Sequence, residues 1–216
     1  MRAGPRRDAP GADIAGSLGL AAVCFAATFR GPKEAFWRRM TATGTVLGSL
    51  ALRRRPALRA LRPRPRHLVE GAAIAAGLYA VFGVGDRLAR RLMPDGAGDI
   101  AAIYDLRAGH DERLIAVRLA FPIGPAEELF WRGYVQDGLM RRYGRWRGTA
   151  LGSAAYAGVH VASGNPTLVG AAGVAGLYWS VLAALGVDIE ALVVSHVLWD
   201  IVIFLVAPTS AVRLDG

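Results

Sequence analysis

Seven apolar segments, separated by short polar gaps, restrict the folds that this sequence can adopt. Hydrophobic residues make up 53% of the 216 residues, and the mean hydropathy of +0.32 exceeds that of typical soluble domains. A helix needs about 20 residues to cross a bilayer, and most of the segments approach that length. The sequence therefore predicts an all-α fold, a polytopic transmembrane helical bundle of about six to seven membrane helices. The segments lie at 13–29, 36–52, 67–85, 114–140, 149–162, 167–186 and 190–207.

The whole chain, residues 1–216, is expected to form a single integral membrane domain because no linker divides it. The segment at 36–52 is the weakest, since it carries two arginines near its start and three threonines. Placement at the membrane interface is the alternative to spanning for this segment. The first segment follows basic residues, as in a signal peptide, but it is long for that role and lacks a small-x-small cleavage site. We predict that it is a membrane helix.

The net charge of +9 would suggest nucleic-acid binding in a soluble protein, but the arginines cluster in the gaps between apolar segments, which suits a membrane surface. Seven arginines and no acid lie at 53–66, and four arginines and no acid lie at 141–147. Because both gaps are rich in arginine and free of acids, we expect them on the cytoplasmic side. Two segments separate them, which is consistent with a position on the same side of the membrane. The gap at 86–113 balances five arginines with six acids and can face outward. We predict an integral protein of the bacterial inner membrane, with lipid and not nucleic acid around it.

Small side chains in the apolar segments indicate helix packing and carry no functional signal. Two pairs at i, i+4 spacing, Ala154 with Gly158 and Ala172 with Gly176, are typical of faces where membrane helices approach closely. The only cysteine, Cys24, excludes an internal disulfide and is expected to pack inside its segment.

Several polar and ionisable residues interrupt the apolar segments. Insertion scales give about 2.5 to 3.5 kcal/mol for one charged residue at the centre of a membrane helix, so four of them unpaired would cost about 10 to 14 kcal/mol. These groups must therefore pair with one another or lie in a wet cavity. They are Glu127, Glu128 and Arg132 in the fourth segment, Tyr156 and His160 in the fifth, and His196 and Asp200 in the seventh.

Helical spacing predicts which of these groups meet. Glu128 and Arg132 are four residues apart and can pair on one helix face, which leaves Glu127 rotated by about 100° and without a partner in its own helix. Counting about 1.5 Å per residue from the predicted cytoplasmic ends puts Glu127 about 21 Å, His160 about 17 Å and His196 about 12 Å deep. These depths straddle the middle of a hydrocarbon core about 30 Å thick. A common site is therefore feasible.

Each residue also has a structural interpretation. Glu127 and Glu128 follow Pro125, and carboxylates in the first turn after a proline are ordinary at helix starts. A single histidine on an apolar face is more often a packed, hydrogen-bonded residue than a catalyst, and His196 with Asp200 could be a structural pair. The presence of all three groups in three separate apolar segments favours a shared functional site.

The ordered set resembles the CAAX protease and bacteriocin-processing family of intramembrane glutamic endopeptidases, which includes the Ras-converting CAAX endopeptidase. The family motifs EExxxR, FxxxH and HxxxN or HxxxD correspond to EELFWR at 127–132, YAGVH at 156–160 and HVLWD at 196–200. The resemblance covers about residues 120–206 and implies a protease core at about 114–207. It implies hydrolysis of a peptide bond in a membrane-anchored protein or peptide, with no cofactor.

The resemblance also implies roles for individual residues. Glu127 would be the general base that activates water, with His160 assisting. His196 and Asp200 would stabilise the developing oxyanion, and the supporting residues would be Glu128 and Arg132.

Two positions depart from the usual family pattern. Tyr156 replaces a phenylalanine and adds a hydroxyl that can hydrogen-bond a carboxylate or water. Asp200 stands where many members have asparagine, and an ionised aspartate cannot donate a hydrogen bond to an oxyanion. Asp200 therefore either is protonated or orients His196.

Three other functions stay open at the level of sequence. Two histidines and a glutamate can bind zinc, although no HExxH motif is present. A bacteriocin immunity or binding protein could retain the bundle without catalysis. A transporter with a charged midplane site has less support, because no repeat relates the two halves of the chain.

Overall fold

The computed structural model describes residues 10–92 and 97–208, and no strand occurs among them. The prediction of an all-α bundle is confirmed. Within these ranges, three helices are long and apolar enough to cross a membrane, namely Pro65–Gly85, Pro166–Leu185 and Ile189–Val206, and a shorter apolar helix spans Asp13–Phe29. The eight main helices are α1 (Pro10–Phe29), α2 (Phe36–Arg54), α3 (Pro65–Leu92), α4 (Ala97–Tyr104), α5 (112–143), α6 (Arg145–His160), α7 (Pro166–Leu185) and α8 (Ile189–Val206).

Ion pairs tie together one end of the bundle, which we call the arginine-rich face because it carries residues 53–66 and 141–147. Arg54 lies 2.7 Å from Asp13, which joins the end of α2 to the start of α1. Arg55 and Arg141 both pair with Asp137 near the end of α5. The two arginine-rich gaps therefore lie at the same end of the bundle.

The other end, which we call the distal face, carries residues 30–35, 99–111 and 161–165. The indole of Trp37 at the start of α2 donates to the Leu106 carbonyl at 2.7 Å. Arg107 donates to the Phe204 carbonyl at 3.0 Å, and the side-chain amide of Asn165 donates to the Asp99 carbonyl at 2.8 Å. The short helix α4 and the 3-10 turn Asp105–Arg107 are thereby fixed across this end.

Helix α2 connects the two faces, with Trp37 at the distal end and Arg54 at the arginine-rich end. Its buried face packs against α1 and α5. Gly44 and Gly48 lie against the backbone at Pro122 and against Ala126, so the two helices approach closely. The segment at 36–52 therefore crosses the bundle and does not lie along one face.

Helix α5 is continuous from 112 to 143, but two stretches of it, Leu119–Ile123 and Leu129–Gln136, have the wider π-helical turn. The first contains Pro122, which has no N–H to donate to the helix. Such interruptions of an α-helix occur frequently at functional sites. Glu127 and Glu128 lie between the two π-helical stretches, inside the helix and buried. They are not at a helix start, so that interpretation is wrong.

Of the two predicted small-residue pairs, one lies at a helix interface and the other does not. Ala172 and Gly176 of α7 are buried, and Gly176 packs against the ring of Tyr156. Ala154 and Gly158 are exposed, and a methyl group at Gly158 would meet nothing within 4 Å. The prediction for the α6 pair was therefore wrong, because the buried face of α6 is rotated away from them.

Gly148 provides the close helix approach that the sequence predicted at Ala154 and Gly158. A Cβ at this position would collide with the backbone of Met140 and lie 2.6 Å from the carbonyl carbon of Leu139. We predict that Gly148→Ala lowers the free energy of unfolding by about 1 to 3 kcal/mol, since backbone cannot move aside as a side chain can. Gly158→Ala on the same helix is the control and should be neutral or stabilise by up to about 1 kcal/mol. Unfolding in detergent micelles measures both, and equal effects would contradict the packing.

Candidate active site

A cavity of about 480 Å³ lies inside the bundle, and each of the helices α1 to α8 contributes to its wall. Most of its wall is apolar or aromatic, including Phe29, Trp37, Phe82 and Trp179. A cavity with apolar walls and a few convergent polar groups is typical of a binding or active site. The ionisable and tyrosine side chains on its wall are Glu127 of α5, Tyr104 of α4, Tyr156 and His160 of α6, and His196 and Asp200 of α8.

Glu127 faces this cavity and is held from one side only. Its Oε2 accepts a hydrogen bond of 2.9 Å from the Tyr156 hydroxyl and lies 4.0 Å from Nε2 of His196. Its Oε1 has no hydrogen-bond partner among the described residues, and that atom is not sealed from solvent. One carboxylate oxygen is thus fixed, and the other is available to a molecule in the cavity.

Glu128 lies one residue further along α5 and forms a buried ionic cluster with Arg132 and His196. Its Oε1 accepts from Arg132 at 2.8 Å and from Nδ1 of His196 at 2.7 Å. The i, i+4 pair predicted from the sequence is therefore present. Arg132 also donates to the Gly176 carbonyl at 3.1 Å, and its guanidinium lies 4.8 Å from the centre of the Tyr156 ring. One guanidinium thus joins α5, α6 and α7.

The His196 ring is fixed by this cluster and by an aromatic neighbour. The indole of Trp179 stacks on it with ring centres 4.1 Å apart and an interplanar angle of 12°. Because Nδ1 faces the Glu128 carboxylate, Nδ1 carries a proton. Nε2 is directed towards Glu127 and Asp200, and Oδ2 of Asp200 lies 3.6 Å away. The tautomer of His196 is therefore set by Glu128, and Asp200 lies near the other nitrogen.

His160 lies on the cavity wall opposite α8, at the end of α6. Its Nδ1 is 2.8 Å from the Tyr156 carbonyl, so that nitrogen is the protonated one in the neutral ring. The ring packs against Phe25 and Phe29 of α1, at 5.1 and 5.9 Å between centres. Nε2 is left without a hydrogen bond among the described residues. It can therefore accept a proton or bind water.

The structure brings all seven residues of the predicted site together around one cavity and the cluster beside it. Direct hydrogen bonds or ion pairs join Glu127 to Tyr156 and His196 to both Glu128 and Asp200. Sequence analysis missed Trp179, which stacks on His196, and the carbonyl of Gly176, which accepts from Arg132. Gly176 had a small-residue signal in the sequence, whereas nothing in an apolar segment distinguishes Trp179.

Within residues 10–92 and 97–208, no group of three or more histidine, cysteine, aspartate or glutamate side chains is arranged to hold a metal ion. The two histidines and Glu127 share the cavity, but Nδ1 of each histidine is already occupied by an oxygen from the protein.

Part of the chain is similar to a known protein family. Residues 110–202 match the model of a family described as Rce1-like, type II CAAX prenyl endopeptidase. The matched segment contains all three motifs and every residue of the predicted site. No curated protein and no solved structure shows significant similarity to the chain. The resemblance drawn from the motifs is thereby confirmed.

The buried cluster makes a prediction about stability that does not depend on any activity. Arg132→Met should lower the free energy of unfolding by about 3 to 5 kcal/mol, because it leaves the Glu128 carboxylate buried without its cation. Adding Glu128→Gln removes that charge, so the double variant should be more stable than Arg132→Met alone. Denaturant unfolding in detergent of the two single variants and the double variant gives the coupling energy. Strictly additive losses would show that the pair is not coupled.

Proposed function

We propose that this integral membrane protein, whose residues 110–202 belong to the Rce1-like family of CAAX proteases, is an intramembrane endopeptidase that uses Glu127 to activate water. The family supports a CAAX-type intramembrane protease in general. One observation carries the finer proposal: Glu127, His160, His196 and Asp200, from three different helices, line a single cavity. Such a convergence of a base and hydrogen-bonding groups suits hydrolysis of a carbonyl compound.

Glu127 is the group best placed to take the proton from water. The Tyr156 hydroxyl fixes Oε2 at 2.9 Å, and Oε1 remains available on the cavity side. A water between Oε1 and Nε2 of His160 would transfer one proton to the carboxylate as its oxygen attacks the carbonyl carbon of the peptide bond. The protonated Glu127 then delivers that proton to the leaving amine as the carbon–nitrogen bond breaks. The products are a carboxylic acid, which keeps the second proton of the water until it ionises, and an amine.

His196 and Asp200 are placed to stabilise the oxyanion of the tetrahedral intermediate. Nδ1 of His196 already donates to Glu128, so Nε2 can donate only if the ring is the imidazolium. Three carboxyl groups share this buried region with one guanidinium, that of Arg132. An imidazolium at His196 and a protonated Asp200 bring the cluster to neutrality and supply two donors at 3.6 Å from each other. Glu128 and Arg132 support the site by fixing the His196 ring.

The shape and lining of the cavity favour a membrane-associated protein or peptide as substrate. Its apolar and aromatic wall suits the hydrophobic side chains or lipid groups of such a segment. Cleavage near the carboxyl terminus of a membrane-anchored chain is the reaction that the family implies. The abundance of arginine on one face of the bundle suits the inner membrane of a bacterium.

Glu127→Gln tests the proposed base directly. The amide keeps the shape of the side chain but cannot accept a proton, so we expect cleavage to fall by about 10² to 10⁴-fold while insertion is unchanged. Substrates are first captured by co-purification with the Glu127→Gln protein, and mass spectrometry then measures their cleavage by purified variants.

Glu112→Gln is the matched control, because it removes the same charge from an exposed position on the same helix. It should retain full activity. Two results would contradict the proposal: full activity in Glu127→Gln, or loss of wild-type activity to chelators with recovery on addition of zinc. The second would assign water activation to a metal ion.

Asp200→Asn tests the role of the residue that departs from the usual asparagine. If protonated Asp200 donates a hydrogen bond to the oxyanion, asparagine supplies a permanent N–H in nearly the same place. We therefore expect most of the activity to remain and any loss at high pH to disappear. Turnover measured from pH 6 to pH 9 checks this. A fall in turnover of about a hundredfold, which is the size of effect that removal of an oxyanion donor usually has, would contradict the donor role of Asp200, provided that expression and unfolding were unchanged.

A further inference from the structure

We infer that substrate reaches the site from the distal face of the bundle, which the charge distribution assigns to the side of the membrane away from the cytoplasm. The inference rests on the proposed function for its substrate but depends on a separate property, the side on which the cavity opens. It also narrows the substrate class. The peptide bond to be cut must be presented at the outer side of the membrane.

Most residues that line the cavity lie in the distal half of the bundle. Helix α2 contributes Phe36, Trp37 and Met40, which are in its first turns at the distal end. Helix α3 begins at the arginine-rich face with Pro65 but contributes no lining residue before Val81. Helix α1 contributes Phe29 at its distal end, whereas α7 and α8 also contribute the stacked pair Trp179 and His196, which lies deeper in the bundle.

Three further helices agree. Helix α5 begins at the distal face and contributes Leu119, Ile123 and Glu127, with nothing from its second half. Helix α6 ends at the distal face and contributes Tyr156 and His160 from its last turns. Helix α4 lies wholly at the distal face and contributes residues to the wall.

A layer of buried polar contacts closes the route to the arginine-rich face. Arg132 and Gln136 lie one turn apart on α5, between Glu127 and the arginine-rich face, and they are 2% and 0% exposed. Arg132 bonds the Gly176 carbonyl, and Gln136 donates to the Ser180 carbonyl at 2.7 Å. The same helix pair is thus joined twice across the space that a channel to the arginine-rich face would need.

The distribution of charge indicates that the two faces of the bundle lie on opposite sides of the membrane. Residues 53–66 and 141–147 hold eleven arginines without an acid, seven in the first gap and four in the second. Short loops of this composition remain in the cytoplasm. The distal face mixes both signs, with Lys33 paired to Asp105 and with acids at Asp99 and Asp111. The cavity therefore lies nearer to the side of the membrane away from the cytoplasm.

Thiol labelling of the full chain in its own membrane tests the inference without any substrate. In a Cys24→Ser background, a cysteine replaces Ala171 on the cavity wall, Arg59 on the arginine-rich face or Ala154, which is exposed on the outer surface of α6. A charged, membrane-impermeant thiosulfonate is added to intact cells and, separately, to inside-out vesicles. The charged reagent reacts with the thiolate, which forms only where water has access.

We expect Ala171→Cys to be labelled in intact cells, Arg59→Cys only in inside-out vesicles and Ala154→Cys in neither. Ile103→Cys, on the cavity face of α4, repeats the measurement should Ala171→Cys fail to accumulate. Labelling of Ala171→Cys and Ile103→Cys from inside-out vesicles alone would overturn the inference. So would labelling of Arg59→Cys in intact cells, or a cavity cysteine that reacts from neither side.

The outcome is separable from that of the proposed function. Adding Glu127→Gln to Ala171→Cys should leave the labelling pattern unchanged, because access does not require hydrolysis. A protein that is labelled as expected but cleaves nothing would overturn the proposed function and support the access route. A protein that cleaves but is labelled from the cytoplasmic side alone would do the reverse.

Discussion

The ionic cluster of Glu128, Arg132 and His196 is the interaction on which the rest of the bundle depends. A membrane interior offers no water to an unpaired charge, so each of these groups requires the others. The 2.7 Å bond from His196 to Glu128 brings α5 and α8 together. Arg132 donates to the same carboxylate oxygen from within α5, and its bond to the Gly176 carbonyl adds α7. Glu127, one residue from Glu128, is thereby turned towards the cavity. The cluster is thus both a packing element and the support of the proposed base.

Much of this arrangement could be predicted from the sequence. The free-energy cost of an unpaired charge in lipid and the spacing of residues along a helix together restrict where ionisable residues can lie. The i, i+4 rule gave the pair of Glu128 with Arg132 and left Glu127 without a partner in its own helix, and the structure has both features. The sequence left a carboxylate or water as the partner of the extra hydroxyl of Tyr156, and in the structure this hydroxyl donates to Glu127. These successes share a cause: within one helix, geometry follows from counting residues.

What the sequence could not supply are the relations between helices. It placed His196 beside Asp200, yet the shorter contact of His196 is with Glu128, which lies 68 residues away in the chain. Depths counted at about 1.5 Å per residue spread the site over about 9 Å, because that rise assumes regular α-helix. The π-helical stretch Leu129–Gln136 breaks the assumption. The exposed position of Ala154 and Gly158 is a similar case, since the rotation of α6 is set by neighbours that periodicity cannot identify.

The position of His196 in the last helix of the described chain has a consequence for biosynthesis. A membrane protein is made from its amino terminus, so α5, with Glu127, Glu128 and Arg132, enters the bilayer before α8 exists. Until α8 is inserted, the Glu128 carboxylate lacks its histidine and the proposed oxyanion site has neither of its donors. A ribosome-bound or truncated chain that ends before Ile189 is therefore unable to assemble the proposed catalytic set. Insertion of α8 is then the step that completes the proposed catalytic set, and a chain that lacks this helix cannot cut neighbouring proteins.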